Sequence, residues 1–524
     1  MKKRLSLWVF LLATFTGWTE EIPITILDTT DLHAHVFPTT DYEGHENVGG
    51  CARIATAIQK IRATTPNVLL VDAGDTIQGA PIGFLSSGQV MIKYLNYLHY
   101  DAWVLGNHEF DWGLEKLGAC VEKATVPVVT ANVRRSTAVT NAFATSLTKI
   151  LLSYRIVEVQ GVHVALIGLT TPNIPNWSRP RLINGLQFEA PVQTLQRIIP
   201  EVKAKGAQIL VLVTHQGYRE SGDDQANQLN AVASEFPELD VIVGGHTHRV
   251  FSEYKIQGVL YNQAGYWGTH LGRIDFMYDS VQKKIVQKHA TVIPMDESVA
   301  MDPQFLALVK PELDFAREEA SRVLGAAEAE FSPRTGSRRE TPIHNLIGAA
   351  VTEALQRKGV MVDAVFHALL DEKAYLAGGP ITVGEVWRIM PYENTLAVAE
   401  LLPGELREIM EESAKLYERG QFRGLYGLRL RLKPSAPAGQ RIISMTDRGG
   451  KELDPNKRLK VAFNSFDLAS AGTRLTKLRE ICDRPDSRLQ EFDLQTRQAV
   501  MDYIRAHKTI KPETFGWWTI ASAR

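Results

Sequence analysis

Cysteine is scarce: Cys51, Cys120 and Cys482 are the only three in 524 residues. That number excludes a disulfide-dense scaffold, and their spacing is not that of a zinc finger. At most one disulfide can form, and all three are expected to be small buried apolar residues. An excess of charge is lacking too, since 58 basic and 59 acidic side chains leave a formal net charge of −1. This balance gives no electrostatic case for nucleic acid or an anionic membrane surface as a partner. Beyond the N-terminus no apolar run is long enough to be an integral membrane span. Internal repeats and low-complexity tracts are missing, which argues against a solenoid or a disordered chain. The remainder is an ordinary globular composition, 44% hydrophobic and 22% charged, in a chain long enough for two cores. Nothing in it specifies an oligomeric state.

The one long apolar run opens the chain, in MKKRLSLWVFLLATFTGWTEE. Lys2, Lys3 and Arg4 form a positive head before apolar residues 5–15, and Gly17 and Thr19 offer a small-residue cleavage site. The pattern is that of a secretory signal peptide over residues 1–19, so the expected location is periplasmic or extracellular. No cysteine follows the run to carry a lipid anchor.

Over residues 22–298 short strands alternate with amphipathic helices. EIPITILDTTD, NVLLVDAGD, DAWVLGNHE, QILVLVTHQG and DVIVGGHTH read as strands. Helical patterns such as MIKYLNYL, GLEKLGACVEKA and VQTLQRIIPEVKAKG separate them, which predicts a layered α/β domain. YRIVEVQGVHVALIGL and LGRIDFMYDSVQKKIVQ read as hairpins turning near Gly161 and Ser280, so the sheets are mixed. Residues 302–324 form a charged helical connector that starts at Asp302–Pro303 and is split at Pro311. A smaller α+β domain is expected over 326–524, with a helix at IHNLIGAAVTEALQRKG and a polar ending.

The informative pattern lies at the carboxyl ends of the five strands. They finish in Asp31 and His33, in Asp75, in Asn107 and His108, in His215, and in His246 and His248. An open α/β sheet binds ligands beyond the carboxyl ends of its strands, so one crevice can gather all of these groups. Any one of them alone reads as a cap, a turn or a satisfied core histidine. Five in order suit a two-metal centre of Zn, Mn or Fe, the absence of cysteine ligands disfavouring a soft-metal site. In an extended strand end residues i and i+2 point the same way, so Asp31 with His33, or His246 with His248, can face one centre. Two cations also need a carboxylate between them, for which Asp75 beside Gly74 is the candidate.

The ordered set DLHAH, DAGD, GNHEFD, THQG and GGHTH resembles the calcineurin-like metallophosphoesterases, and within them the secreted 5′-nucleotidase and 2′,3′-cyclic phosphodiesterase branch. The resemblance implies a four-layer α/β/β/α sandwich followed by a nucleotide-binding domain. It implies that Asp31, His33 and His248 hold a first metal, that Asp75 bridges, and that Asn107, His215 and His246 hold a second. His108 would stabilise or protonate the reacting phosphate, held charged by Asp111. Glu109 would be structural, and His35 would lie behind the ligands.

The C-terminal half resembles the branch less. GPITVGEVWRIMPYENTLAVAEL resembles the segment that lies under the nucleobase, with Tyr392 as the aromatic and Asn394 as the amide. A Tyr packed in its own core is the bland alternative. SRRETPIHNLIG offers Arg338 and Arg339 as phosphate-facing arginines. The branch's glycine-rich loop is replaced by HALLDEKAYLAG, where Asp371 and Glu372 would repel phosphate. Its Gly–Gly–Asp–Gly–Tyr segment is replaced by FNSFDLASAGTRL, which puts Thr473 and Leu475 in those places but keeps an aromatic, Phe466, nearby. The expected function is a metal-dependent hydrolase of a small phosphoester, by default a nucleoside 5′-monophosphate or related nucleotide. A cyclic-nucleotide, non-nucleotide or sulfate-type ester keeps the same chemistry, and a metal-retaining binding protein of little turnover stands as the alternative from another class.

Overall fold

A computed structural model describes residues 21–332, 340–369 and 375–521. The predicted signal segment, Arg338, Arg339, Asp371 and Glu372 lie outside the described residues.

Two sheets face one another. One has the strand order Lys284–Pro294, His270–Asp279, Glu21–Thr29, Val68–Asp72, Ala102–Trp103, and the other Val250–Ile256, Val259–Ala264, Val241–Val243, Ile209–Thr214, Val162–Leu169, Tyr154–Val159. Side-chain alternation explains the layering. Ile24, Ile26, Leu69 and Val71 point inward to meet Val211 and Val213 across the sandwich. Leu27 and Leu70 point outward, beneath the helices Cys51–Thr64, Gln89–Leu98 and Leu114–Lys123. Leu210 and Leu212 point outward from the second sheet, beneath Pro191–Ala204 and Leu229–Glu235. Helices thus cover both outer faces of a four-layer α/β/β/α sandwich.

The strands that deliver the polar motifs run parallel: Glu21–Thr29 beside Val68–Asp72 beside Ala102–Trp103, and Ile209–Thr214 beside Val241–Val243. Their carboxyl ends therefore lie at one edge. The antiparallel Tyr154–Val159 and Val162–Leu169 pair turns through left-handed Gln160 and Gly161, at φ of 49° and 83°. Cys51, Cys120 and Cys482 are free and buried.

Asp302 caps the helix Pro303–Leu308 by accepting from the Gln304 and Phe305 amides, and its other oxygen takes bonds from Gln59 and Tyr97. The next helix, Lys310–Ser321, starts with Pro311 in its first turn, where a missing N–H costs nothing. Phe305, Val309 and Ala316 join the core under the first sheet, so the connecting helices are docked on that domain.

The C-terminal part has a sheet ordered Gly424–Tyr426, Ala364–His367, Leu459–Asn464, Thr395–Leu401, Gln490–Gln495. The helix Pro342–Arg357, opened by a capping box of Thr341 and His344, packs on it through Ile343, Ile347 and Val351. The chain does not finish in a purely polar tail: Trp517 and Trp518 are buried, and Trp518–Ile520 pairs with Arg429–Leu432.

A buried seam joins the two parts. Arg497 donates to Glu393 at 2.5 Å, and Glu393 also accepts from Gln78 at 2.7 Å and Trp112 at 3.4 Å. The Arg497 guanidinium lies 3.2 Å over the Trp387 ring and 5.4 Å from that of Phe84. On a second front, Arg179 donates to Glu491 at 2.6 Å and Asp483 at 3.0 Å.

Asp302→Ala removes a cap and the bonds from Gln59 and Tyr97. It is expected to lower unfolding stability by about 1–2 kcal/mol in urea titration; an unchanged midpoint would show that the Asp302 cap adds nothing to the fold.

Candidate metal centre

The loops at the strand ends are built of left-handed backbone. Asp31, His33, Asp75, His246 and His248 have φ of 51°, 47°, 55°, 69° and 56°. Non-glycine residues hold such angles only where their surroundings over-determine them. The extended i, i+2 geometry expected of DLH and HTH is therefore replaced by turns. Asp31 and His33 still converge, but His246 and His248 diverge to different groups.

Glu109 supplies the surroundings. It is fully buried, and its carboxylate accepts four backbone amides: Asp75 at 2.9 Å, Gly106 at 2.7 Å, Thr76 at 2.7 Å and Ile77 at 3.1 Å. The Asp31 and His33 amides then bond the Gly74 and Asp75 carbonyls. Gly106 has no alternative here, since a Cβ on it would lie 2.2 Å from Asp75 Oδ1. Gly74, at φ 96°, would likewise put a Cβ 2.5 Å from the Gly106 nitrogen.

Two groups of ligand atoms result, Asp31 with His33 and His248, and Asp75 with His215 and His246, each within 4.8 Å. The side chains of Asp31, His33, Asp75 and His215 are buried. Asp75 Oδ2 lies 3.0 Å from His215 Nε2 and 3.8 Å from His33 Nε2, between the groups. Asn107 Oδ1 lies 2.9 Å from His246 Nδ1 and 3.2 Å from His215 Nε2.

Backbone carbonyls orient the rings. His33 Nδ1 bonds the Gln78 carbonyl at 2.8 Å and His215 Nδ1 that of Ala73 at 2.8 Å, which aims each Nε2 at the centre. His33 Nε2 and His248 Nε2 then face each other at 3.1 Å, close to Asp31 Oδ1. Burial lowers the pKa of His33 to about 4 and of His246 to about 3, so both present neutral lone pairs. Burial alone would raise Asp31 and Asp75, but the surrounding histidines, His248 and His215 foremost, hold both carboxylates below their usual range. For His215 burial opposes the charge, yet Asp75 lifts it to about 9. Once His215 gives up its proton on binding, neutral imidazole, ionised carboxylate and amide oxygen form a donor set that fits hard or borderline divalent cations.

His108 stands beside both groups. Its Nδ1 is 2.6 Å from Asp111 Oδ2, its backbone N–H bonds Asp75 Oδ1 at 2.8 Å, and its ring centroid is 5.3 Å from that of His33. Burial opposes protonation, but the Asp111 and Asp75 carboxylates raise its pKa well above the usual histidine range. His35 belongs to neither group; it stacks on Trp267 at 4.4 Å, and burial lowers its pKa to about 3.

A cavity of about 430 Å³ opens from this edge between the two domains. Asn107, His108 and His246 lie in one wall, while Tyr392, Asn394 and Phe466 lie in the other. Tyr392 is 41% exposed and nearly parallel to the His108 ring at 6.2 Å, so it is not packed in its own core. The sequence reading missed Trp177, Gln421, Arg423 and Arg474, which also line the cavity. Nothing local marks them, because their role depends on how the second domain docks.

Residues 24–250 match the calcineurin-like phosphoesterase family, and residues 321–480 match the 5′-nucleotidase C-terminal domain. The chain thus pairs a calcineurin-like phosphoesterase domain with a 5′-nucleotidase C-terminal domain. It is similar to the 2′,3′-cyclic-nucleotide 2′-phosphodiesterase/3′-nucleotidase of Haemophilus influenzae, 26% identical over 93% of this chain and 85% of that protein. It is also similar to the trifunctional nucleotide phosphoesterase YfkN of Bacillus subtilis, 25% identical over 96% of this chain but only 39% of YfkN, so the chain spans about two fifths of that relative. The crystal structure of a 5′-nucleotidase precursor from Thermus thermophilus superposes with a TM-score of 0.71 at 26% identity, over 96% of this chain and 100% of that one. The phosphoesterase fold implies divalent metals, in accord with the two groups.

Glu109→Gln keeps the shape but turns two acceptor sites into donors facing backbone N–H groups. It is expected to weaken divalent-metal affinity by about 10–100-fold in calorimetric titration while circular dichroism is retained. Unaltered affinity would show that the loops hold their form without the carboxylate.

Proposed function

We propose that the chain hydrolyses phosphate esters at a dinuclear divalent-metal site, releasing phosphate from nucleoside 5′-monophosphates or related nucleotides. The observation that carries this reading is the convergence of two ligand groups on Asp75, with the His108–Asp111 pair beside them. In it Asp31, His33 and His248 would hold one ion, Asn107, His215 and His246 the other, and Asp75 both; the donors admit Zn, Mn or Fe. Two such ions, when bound, offset the ester's negative charge and acidify a water for in-line attack.

The protein's own residues do the rest. Asp111 keeps His108 charged through Nδ1, which leaves Nε2–H as the ring's free donor for a phosphoryl or leaving oxygen. The bond from the His108 amide to Asp75 fixes that donor relative to the ligand groups. Tyr392 and Phe466 give the cavity aromatic faces on which a base can stack, and its volume is that of a small-molecule site. The histidine–carboxylate pair supports turnover over mere metal retention, since ligation does not need it.

A second reading, a cyclic-nucleotide or other diester substrate, has its own observation. A further cavity of about 380 Å³ shares His108 and Tyr392 with the first and is lined by Tyr42, Trp267 and Trp387. That space suits a diester with two separate organic arms; a cyclic nucleotide carries both ester oxygens on one sugar, and the second cavity does not bear on it. The name of the Haemophilus relative agrees with the cyclic-nucleotide substrate.

We also place the mature protein in the periplasm or outside the cell, on the strength of the positive head and apolar run at residues 2–15. Among the described residues no helix is long and apolar enough to cross a membrane.

The test is a panel of AMP, a UDP-sugar, 2′,3′-cyclic AMP and sugar phosphates, with bound metal counted by elemental analysis. Asp75→Asn is expected to abolish turnover on every substrate, by about 10³-fold or more, and to lower metal content. Unchanged rates would overturn the dinuclear reading. His108→Ala is expected to slow the reaction about 10²–10⁴-fold with two metals retained; loss of metal would make it a ligand instead.

A further inference from the structure

The wall of the cavity contributed by the C-terminal domain carries a cation that no carboxylate among the described residues neutralises. Two arginines line it, and they differ. Arg423 is buried and satisfied: Nε and Nη2 reach Asp467 Oδ1 at 3.1 Å and 2.9 Å, and Nη1 bonds the Gln421 carbonyl at 2.6 Å. Arg474 has no carboxylate partner among the described residues. Its Nε bonds the Ala471 carbonyl at 2.7 Å, Nη1 makes a long 3.4 Å contact with Gln421 Oε1, and Nη2 has no partner there. The other carboxylates lining the cavity are engaged, Asp111 by His108 and Glu393 by Arg497.

The neighbourhood makes that cation costly. Burial, then Arg423 and Arg419, depress the Arg474 pKa, and Asp467 offsets only part of this. The Phe466 ring, 5.8 Å from the guanidinium, supplies a weak cation–π contact. The loop that presents Arg474 is also held in a strained form. Ser470, Ala471 and Thr473 have φ of 86°, 47° and 74°. Bonds from the Ser470 hydroxyl and the Gly472 amide to the Asn176 carbonyl tie the loop to the opposite domain. A strained, anchored loop that holds an uncompensated guanidinium in a cavity is built to receive an anion.

We propose that Arg474 receives an anionic oxyacid group carried by the leaving alcohol, so that the preferred substrates are phosphoesters bearing a second charge remote from the scissile phosphorus. The inference rests on the phosphoester reading above for the identity of the first group. A planar guanidinium that lines the cavity, with Nη1 held only by the long Gln421 contact and Nη2 without a partner among the described residues, suits carboxylate and phosphate alike.

Two matched pairs separate these sources. Phenyl phosphate against 4-carboxyphenyl phosphate probes a carboxylate, and AMP against adenosine 3′,5′-bisphosphate probes a phosphate. Wild type is expected to favour the charged member of at least one pair by about tenfold or more in kcat/KM, as a charge-assisted hydrogen bond allows. Arg474→Gln should bring that ratio to about one, and Arg474→Lys, which keeps the charge without the fork, should leave it between the two. The same ratio is read without turnover from calorimetric Kd values of benzylphosphonate and (4-carboxybenzyl)phosphonate, with the 5′-phosphonate analogues of the two adenosine nucleotides as the phosphate arm, on the metal-loaded protein. If no substrate is hydrolysed but the binding ratio depends on Arg474, the hydrolase reading fails and the subsite stands. A ratio near one in wild type for both pairs, or one that Arg474→Gln leaves intact, overturns the proposal. Should Arg474→Gln fail to fold, a wild-type ratio unaltered in Arg474→Lys would overturn it equally.

Discussion

The constraint on which the centre depends is the reception of four backbone amides by one buried carboxylate, that of Glu109. Charged acceptors make the stronger hydrogen bonds, and these span the loops after two neighbouring strands. They hold Asp75 in a conformation that it would not adopt alone and set the amide of His108 against it. Asp75 touches atoms of both ligand groups, so its placement sets their spacing. Displacing this anchor would loosen the whole cluster, although Glu109 belongs to neither group.

Around this core the two domains divide the labour. The sandwich presents ligand atoms at one edge because its motif strands run parallel and end together. The C-terminal domain brings the aromatic and cationic surface of the cavity's other wall. Neither half encloses a substrate alone. The charge balance of the cavity follows from the same division, since Asp111 and Glu393 are both consumed in pairs and Arg474 has no carboxylate partner among the described residues.

Much of the sandwich was legible because its signals are local. Alternation in EIPITILDTTD and QILVLVTHQG is visible to any period-two reading, and a polar residue after an apolar run marks the strand end. The ligand types could be read for the same reason. The backbone of those ends could not: DLH and HTH look extended, whereas Asp31, His33, His246 and His248 are left-handed, a state imposed by bonds from distant loops. The short strand Ala102–Trp103 is another case, its extended neighbours in DAWVLGNHE being drawn off into the loop around Glu109. The cavity was still less accessible. Tyr392, Asn394 and Phe466 were found through resemblance to a segment, while Arg423 and Arg474 emerge only when segments far apart in the chain close on each other.

The seam at Glu393 sets how the halves can separate. Arg497 and Glu393 are almost wholly buried, one under the Trp387 ring and the other reached by Gln78 and Trp112. Water solvates both charges better than the interior does, so wetting the joint returns much of the energy that its contacts contribute. A purely oily joint would resist parting and, once parted, would invite aggregation. This one is mixed: the Glu393–Arg497 pair belongs wholly to the C-terminal domain and would be wetted intact, while Phe84, packed on Trp387 at 5.4 Å, and Trp112 would be bared with it.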